Sequence, residues 1–143
     1  MKHLLLVLVG ILLLCNAVDA QYKINKTKYN YKSYTYQVGD PYNPSVAGLC
    51  SFLIPGLGQM FSGEGGRGVG FLGGFVGCAV LYGIGANAGV NDIASGGSGA
   101  AGGGLMVVGL LGMIGVDIWA IVDGVHVAKV NNMAWRDKSK TGY

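Results

Sequence analysis

Charge is what this sequence has least of. Only 12% of its 143 residues are Asp, Glu, Lys or Arg, against roughly 25% in a soluble domain. A chain so short of charge cannot keep an ordinary globular surface wet. Histidine is almost missing too: His3 and His126 are the whole supply, so no zinc ligand set can be assembled. Cysteine is limited to Cys15, Cys50 and Cys78 with no CxxC, which excludes a thioredoxin-type redox motif. Cys50 and Cys78 sit in separate apolar runs, either as packed thiols or as a pair. Neither G-x-S-x-G nor HExxH occurs, and no nucleophile has an obvious base beside it. The expectation is a protein without catalysis, cofactor or metal.

What is present is apolar residues and glycine. The chain is 51% hydrophobic and holds 27 glycines. The glycines have no three-residue period and little proline accompanies them, which excludes collagen. The apolar residues fall in runs, the signature of a membrane protein. The first run, Leu4–Leu14, follows Met1-Lys2-His3 and leads to Val18-Asp19-Ala20, the layout of an export signal cleaved after Ala20. Leu14 stands where a lipidation signal before Cys15 wants a small residue, which argues against a lipoprotein.

The expected organisation is a signal peptide over 1–20, a Tyr/Lys-rich exported tail over 21–45, a membrane domain over 46–128 and a basic cytoplasmic tail over 129–143. The exported tail holds six of the eight tyrosines interleaved with Lys23, Lys26, Lys28 and Lys32. This composition suits a wet juxtamembrane segment or a binder of anionic lipid or envelope polymer; behind an export signal, nucleic acid is not an expected partner.

Within the membrane domain, helices are expected over about 46–61, 68–88 and 105–127, with a Gly-rich loop over 89–104. Sixteen residues of helix reach only ~24 Å, short of a ~30 Å hydrocarbon core. Pro55 interrupts them as well. The segment 46–61 is therefore a short Pro-kinked or re-entrant helix, followed by a transmembrane hairpin. Gly66, Gly70 and Gly74, spaced by four, are candidate helix-packing positions, and Pro55, Gly56 and Gly58 mark the bend. The 89–104 loop lacks Lys and Arg whereas the C-terminal tail has four. The positive-inside rule then expects the loop outside a bacterial inner membrane and the C-terminus in the cytoplasm. With an exported tail, 46–61 would have to cross, giving three spans.

Gly63-Glu64-Gly65-Gly66-Arg67-Gly68 fits G-x-G-x-x-G, and so does Gly97-Ser98-Gly99-Ala100-Ala101-Gly102. A phosphate loop needs a buried strand before it and a helix after it. Neither stretch has that context, so no nucleotide is expected and Gly63–Gly68 reads as a helix-to-helix turn.

The stretches "SFLIPGLGQMFSGEGGRGVGFL" and "DIWAIVDGVHVAKVNN" resemble a family of small bacterial membrane proteins of unknown function related to the two-transmembrane (TM-two) domain. The likeness rests on Pro55-Gly56-Leu57-Gly58-Gln59 joined to Trp119-x-x-x-Asp123 and a basic, Asn-bearing exit. It covers about Asn43–Asn132, apart from the long glycine loop and Met60-Phe61. The resemblance implies a helical hairpin in the membrane and no activity.

Asp117 and Asp123 are the acids of the last apolar run. An acid at a helix centre costs roughly 2.5–3.5 kcal/mol on insertion scales, so it faces protein or water. Six residues apart, the two lie about 120° apart around a helix and form no carboxylate pair. Gln59, Arg67, His126 and Lys129 are their candidate partners. The functional expectation is a non-enzymatic structural or partner-binding module, in contact with lipid and with a second copy or another membrane protein. Its alternatives are an oligomeric pore or proton-coupled subunit built on Asp117, and lipid or polymer binding by the Tyr/Lys tail.

Overall fold

A computed structural model describes residues 27–142. The expected signal peptide over 1–20 and the start of the Tyr/Lys tail lie outside the described residues. All the regular structure among those described is helical, with no strand. After a 3-10 turn at Tyr31–Ser33 come α1 (Pro44–Leu53), α2 (Leu57–Phe61), α3 (Gly65–Ala94) and α4 (Ala100–Thr141).

α1 starts where the sequence carries a strong start signal. Asn43 accepts from the backbone N–H groups of Ser45 and Val46, and Pro44 fills the first helical position, where no donor is needed. α1 stops at Leu53 because the residue before a proline is pushed out of the helical region; Ile54 is extended, at φ −141°. Gly56 then turns the chain at φ +96°, a left-handed conformation in which glycine meets no Cβ penalty.

Landmarks on α4 show where this bend leads. Tyr42 is hydrogen-bonded to Asn132, Gly48 lies beside Val125 and Ile121, Gln59 reaches Ala120, and Ser62 is back beside Asn131. The α1–α2 segment thus runs about twelve residues up α4, ~18 Å, and comes back to its starting level. The segment 46–61 is thus broken at Pro55 and folds back along α4.

α3 and α4 are the candidate membrane spans: both are long and apolar enough to cross. In their most apolar windows just 6% and 11% of residues are buried, far too few for core helices of a soluble protein. Val76, Val80, Ile84, Val107, Val108, Leu111 and Ile118 are among the large apolar side chains they expose. The two helices pack antiparallel along their length. Gly89 faces Gly102, Gly85 faces Met106, Cys78 and Tyr82 face Gly109, Gly74 faces Val116 and Arg67 faces Asp123.

The expected 89–104 loop is much shorter than predicted. Helix continues to Ala94 and resumes at Ala100, leaving a five-residue turn. Two physical reasons account for this. Asp92 clamps the turn, its carboxylate accepting the Gly99 N–H at 2.7 Å and its carbonyl the Gly97 N–H at 2.8 Å. Gly85, Gly89 and Gly102 lie on the seam itself, so glycine that weakens an isolated helix here lets two backbones touch. A Cβ on Gly102 would lie 2.1 Å from the Gly89 nitrogen. The tightest approach therefore lies toward the turn, away from Gly66, Gly70 and Gly74: Gly66 is exposed, and a Cβ on Gly74 would meet Val116 at an ordinary 3.8 Å.

The expected three-span topology with tails on opposite sides does not fit this fold. Residues 28–42 lie against the C-terminal end of α4, where Lys28 and Tyr29 bond Asp137 and Asp40 pairs with Arg136. Since α1–α2 turns back, both tails emerge at one end of the hairpin and the 95–99 turn lies at the other.

Candidate functional site: the polar junction under the Pro55–Gly56 bend

The PGLGQ stretch and the acid of α4 meet at one place. Pro55 and Gly56 reverse the chain; a Cβ on Gly56 would fall 2.1 Å from the Gly68 carbonyl oxygen. Gly58, on α2, packs directly against α1: a Cβ there would be 1.9 Å from the Ala47 carbonyl oxygen. That close fit delivers Gln59 into the interior, fully buried. Its Nε2 donates to the Ala120 carbonyl at 2.8 Å and to Asp123 Oδ2 at 3.2 Å. Its Oε1 accepts from Ser51 Oγ at 2.9 Å, and Ser51 Oγ accepts from the Gly58 N–H at 3.1 Å. Gly124 completes the fit, since a Cβ there would stand 2.7 Å from Ser51 Oγ.

From the other side Arg67, on the first turns of α3, grips Asp123 with two bonds. Nε donates to Oδ2 at 2.6 Å and Nη2 to Oδ1 at 2.5 Å. Both side chains are 9% exposed. The fork of a guanidinium matches a carboxylate in this way, and a lysine would not. A buried charge pair survives where further hydrogen bonds satisfy its remaining groups; Gln59 does so here. Glu64, also buried, precedes α3, and burial pushes its carboxyl above the ordinary value of 4.5, while Asn131 and Arg67 act in the opposite sense.

Of the expected site residues, the fold joins Gln59, Arg67 and Asp123. His126 lies one turn further along α4 with its ring stacked on Tyr31, centroids 3.9 Å apart. Asp117 lies apart, about 120° around α4 from Asp123, and its Oδ1 is buried without a hydrogen-bond partner among the described residues. An apolar groove of about 1060 Å³ opens between α3 and α4 beside the junction, lined by Phe71, Trp119 and Val122 with Arg67 and His126 at its polar end.

A second polar cluster went unnoticed in the sequence. Asp40, its side chain 1% exposed, accepts from Arg136 Nε at 2.7 Å, from Tyr34 Oη at 2.6 Å and from the Gln37 N–H at 3.1 Å. The Arg136 guanidinium is the main reason its carboxyl is held down at about 2. Asn132, fully buried, bonds both the N–H and the carbonyl of Tyr42. These bonds tie the tail to α4 as a strap. The sole sequence hint was polar residues recurring among the apolar ones after Val127.

Compared with known protein families, curated proteins and solved structures, the chain matches none of them.

Proposed function

We propose that this chain is a small integral membrane protein of the bacterial envelope that acts without catalysis, as a structural or partner-binding module of the kind its PGLGQ and W-x-x-x-D motifs resemble. The observation that carries this reading is the closed junction. Arg67, Asp123, Gln59 and Ser51 satisfy one another across all four helices, and the large side chains that the facing stretches of α3 and α4 leave exposed are apolar. A hairpin whose buried ion pair is closed by Gln59 and Ser51 and whose outer faces suit lipid is built to hold a shape. The Tyr/Lys tail supports the same role, since Tyr29, Tyr31 and Tyr34 are engaged with α4.

The distribution of charge orients the module. The sequence has no Lys or Arg from Gly68 to Ala128, so every basic residue described lies at the strapped end. The positive-inside rule favours that end in the cytoplasm with the 95–99 turn outside. In this orientation Leu4–Leu14 does not carry the tail across as an export signal. The test is maleimide labelling of intact cells, with single cysteines placed by Ser33→Cys, Ser98→Cys and Ser139→Cys in a chain freed of its native thiols. Impermeant reagent should reach position 98 and spare 33 and 139. Labelling 33 and 139 while sparing 98 reverses the orientation, and labelling 33 and 98 together disproves the re-entrant bend.

A second reading has one observation behind it. The unpartnered Asp117 oxygen suits a proton- or ion-coupled role in an oligomer, because an acid at that depth calls for a partner. Ion flux into liposomes that is abolished by Asp117→Asn supports it; no flux in either form removes it.

A further inference from the structure

We propose that a recess at the foot of α1 binds the phosphate-bearing headgroup of an anionic phospholipid. The recess, about 410 Å³, is lined by Tyr34, Tyr36, Asn43, Pro44, Ser45 and Lys129. No carboxylate lines it. The nearby cations Lys28, Arg67 and Arg136 are each matched to an acid, Asp137, Asp123 and Asp40. Lys129 is half-buried and has neither an ion pair nor a hydrogen bond among the described residues. Ser45 Oγ and Tyr36 Oη are likewise unused there as donors. A partly desolvated ammonium without a counter-charge is unfavourable, and an anion in this recess relieves it with three donors at once. The helix end contributes little, because Asn43 already takes the N–H groups of Ser45 and Val46.

The apolar surroundings say which anion. Ser45, Leu49 and Phe52 follow one another along a single face of α1, four and three residues apart. Leu49 is 60% and Phe52 61% exposed, flanked by the equally open Val46 and Leu53. The recess is therefore the polar foot of an exposed apolar stripe. α1 has ten residues, hence a length of ~15 Å, the depth of one leaflet of a ~30 Å hydrocarbon core. A lipid whose phosphate sits on Lys129 lays its acyl chain along that stripe, one leaflet deep. The re-entrant segment is then held by a lipid as well as by α4.

This inference rests on the membrane reading, which alkaline carbonate extraction of the full chain tests separately: release from the membrane would refute that reading before any lipid is added. The lipid test is titration of the full chain in mild detergent, read by native mass spectrometry. The probes are phosphatidylglycerol, phosphatidylcholine and inorganic phosphate. Phosphatidylglycerol should bind more tightly than phosphatidylcholine. Lys129→Gln should weaken it about fivefold, the effect of one lysine at an anionic surface. Lys129→Arg should retain it, and Lys138→Gln, an exposed lysine on the same helix, should change it less than twofold. Equal weakening by the two Gln variants means diffuse surface charge and overturns the proposal. Tight Lys129-dependent binding of inorganic phosphate alone overturns the lipid assignment. If Lys129→Gln does not fold, Tyr36→Phe gives the same readout, with weakening expected and unchanged affinity counting against the site.

Discussion

Replacing Arg67 with methionine removes the guanidinium and leaves the Asp123 carboxylate in place. That carboxylate is 9% exposed and retains one donor, Gln59 Nε2 at 3.2 Å. Removing one partner of a buried pair costs about 3–5 kcal/mol, because the other charge stays desolvated and uncompensated. Asp123→Leu should cost a similar amount by taking the bidentate carboxylate from the buried Arg67. The two together remove both charges, and an apolar replacement of a buried pair is often neutral. The double variant should thus lie within about 1 kcal/mol of the parent, and the cycle should report strong non-additivity. The assay is unfolding of the full chain in mild detergent by added dodecyl sulfate, followed by the fluorescence of Trp119 and Trp135. A loss of ~4 kcal/mol shifts the folding equilibrium by about three powers of ten, well within reach of the titration. If either single variant unfolds with the parent, or the double variant loses the sum of both, the pair does not hold the junction.

Three further outcomes are expected. Gly102→Ala should destabilise by about 1–3 kcal/mol through overpacking, since its Cβ meets the backbone of Gly89. Gly103→Ala, with nothing within 4 Å of its Cβ, should be neutral or gain up to ~1 kcal/mol of helix propensity; the same titration reads both. The strap should respond to acid through Asp40, whose carboxyl falls from 3.8 to about 2 in the folded chain. A depressed folded value means the stabilisation is complete above the ordinary value and fades as pH drops toward 2. Hydrogen-exchange protection over residues 28–42, taken relative to the intrinsic amide rate at each pH, should be full at pH 5 and fall near pH 2, and Asp40→Asn should lower it already at pH 5. Glu64 has the opposite sign. Its raised value adds stability at pH below 4.5 that is lost as pH rises through the folded value. Glu64→Gln should flatten that part of the pH–stability curve measured by the dodecyl sulfate titration.

How much of this was legible beforehand differs from element to element. The apolar runs give α3 and α4, because 18 or more apolar residues have few other uses. Asn43-Pro44 gives the start of α1, and Ile54-Pro55-Gly56 its end, since capping and pre-proline sterics act within a few residues. Gln59, Arg67 and Asp123 stand out as polar residues among apolar ones, and they do converge. The 89–104 stretch forms a shorter turn than propensity predicts, because propensity counts each glycine as a cost to its own helix. It omits the backbone of the opposite helix that only glycine admits. The Asp40–Arg136 pair spans 96 residues and leaves no local pattern.

The sequence by itself determined that this chain carries two long lipid-suited helices, a short helix broken at Pro55, and a few polar residues that must find partners. Those properties follow from hydropathy and from backbone sterics, which act over a handful of neighbours. Only the tertiary structure decided that the broken helix turns back along α4, that both tails share one end, and that Asp123 takes Arg67 while Asp117 keeps an unpartnered oxygen. Such choices depend on which distant surfaces fit at close range, and no stretch of neighbouring residues records that.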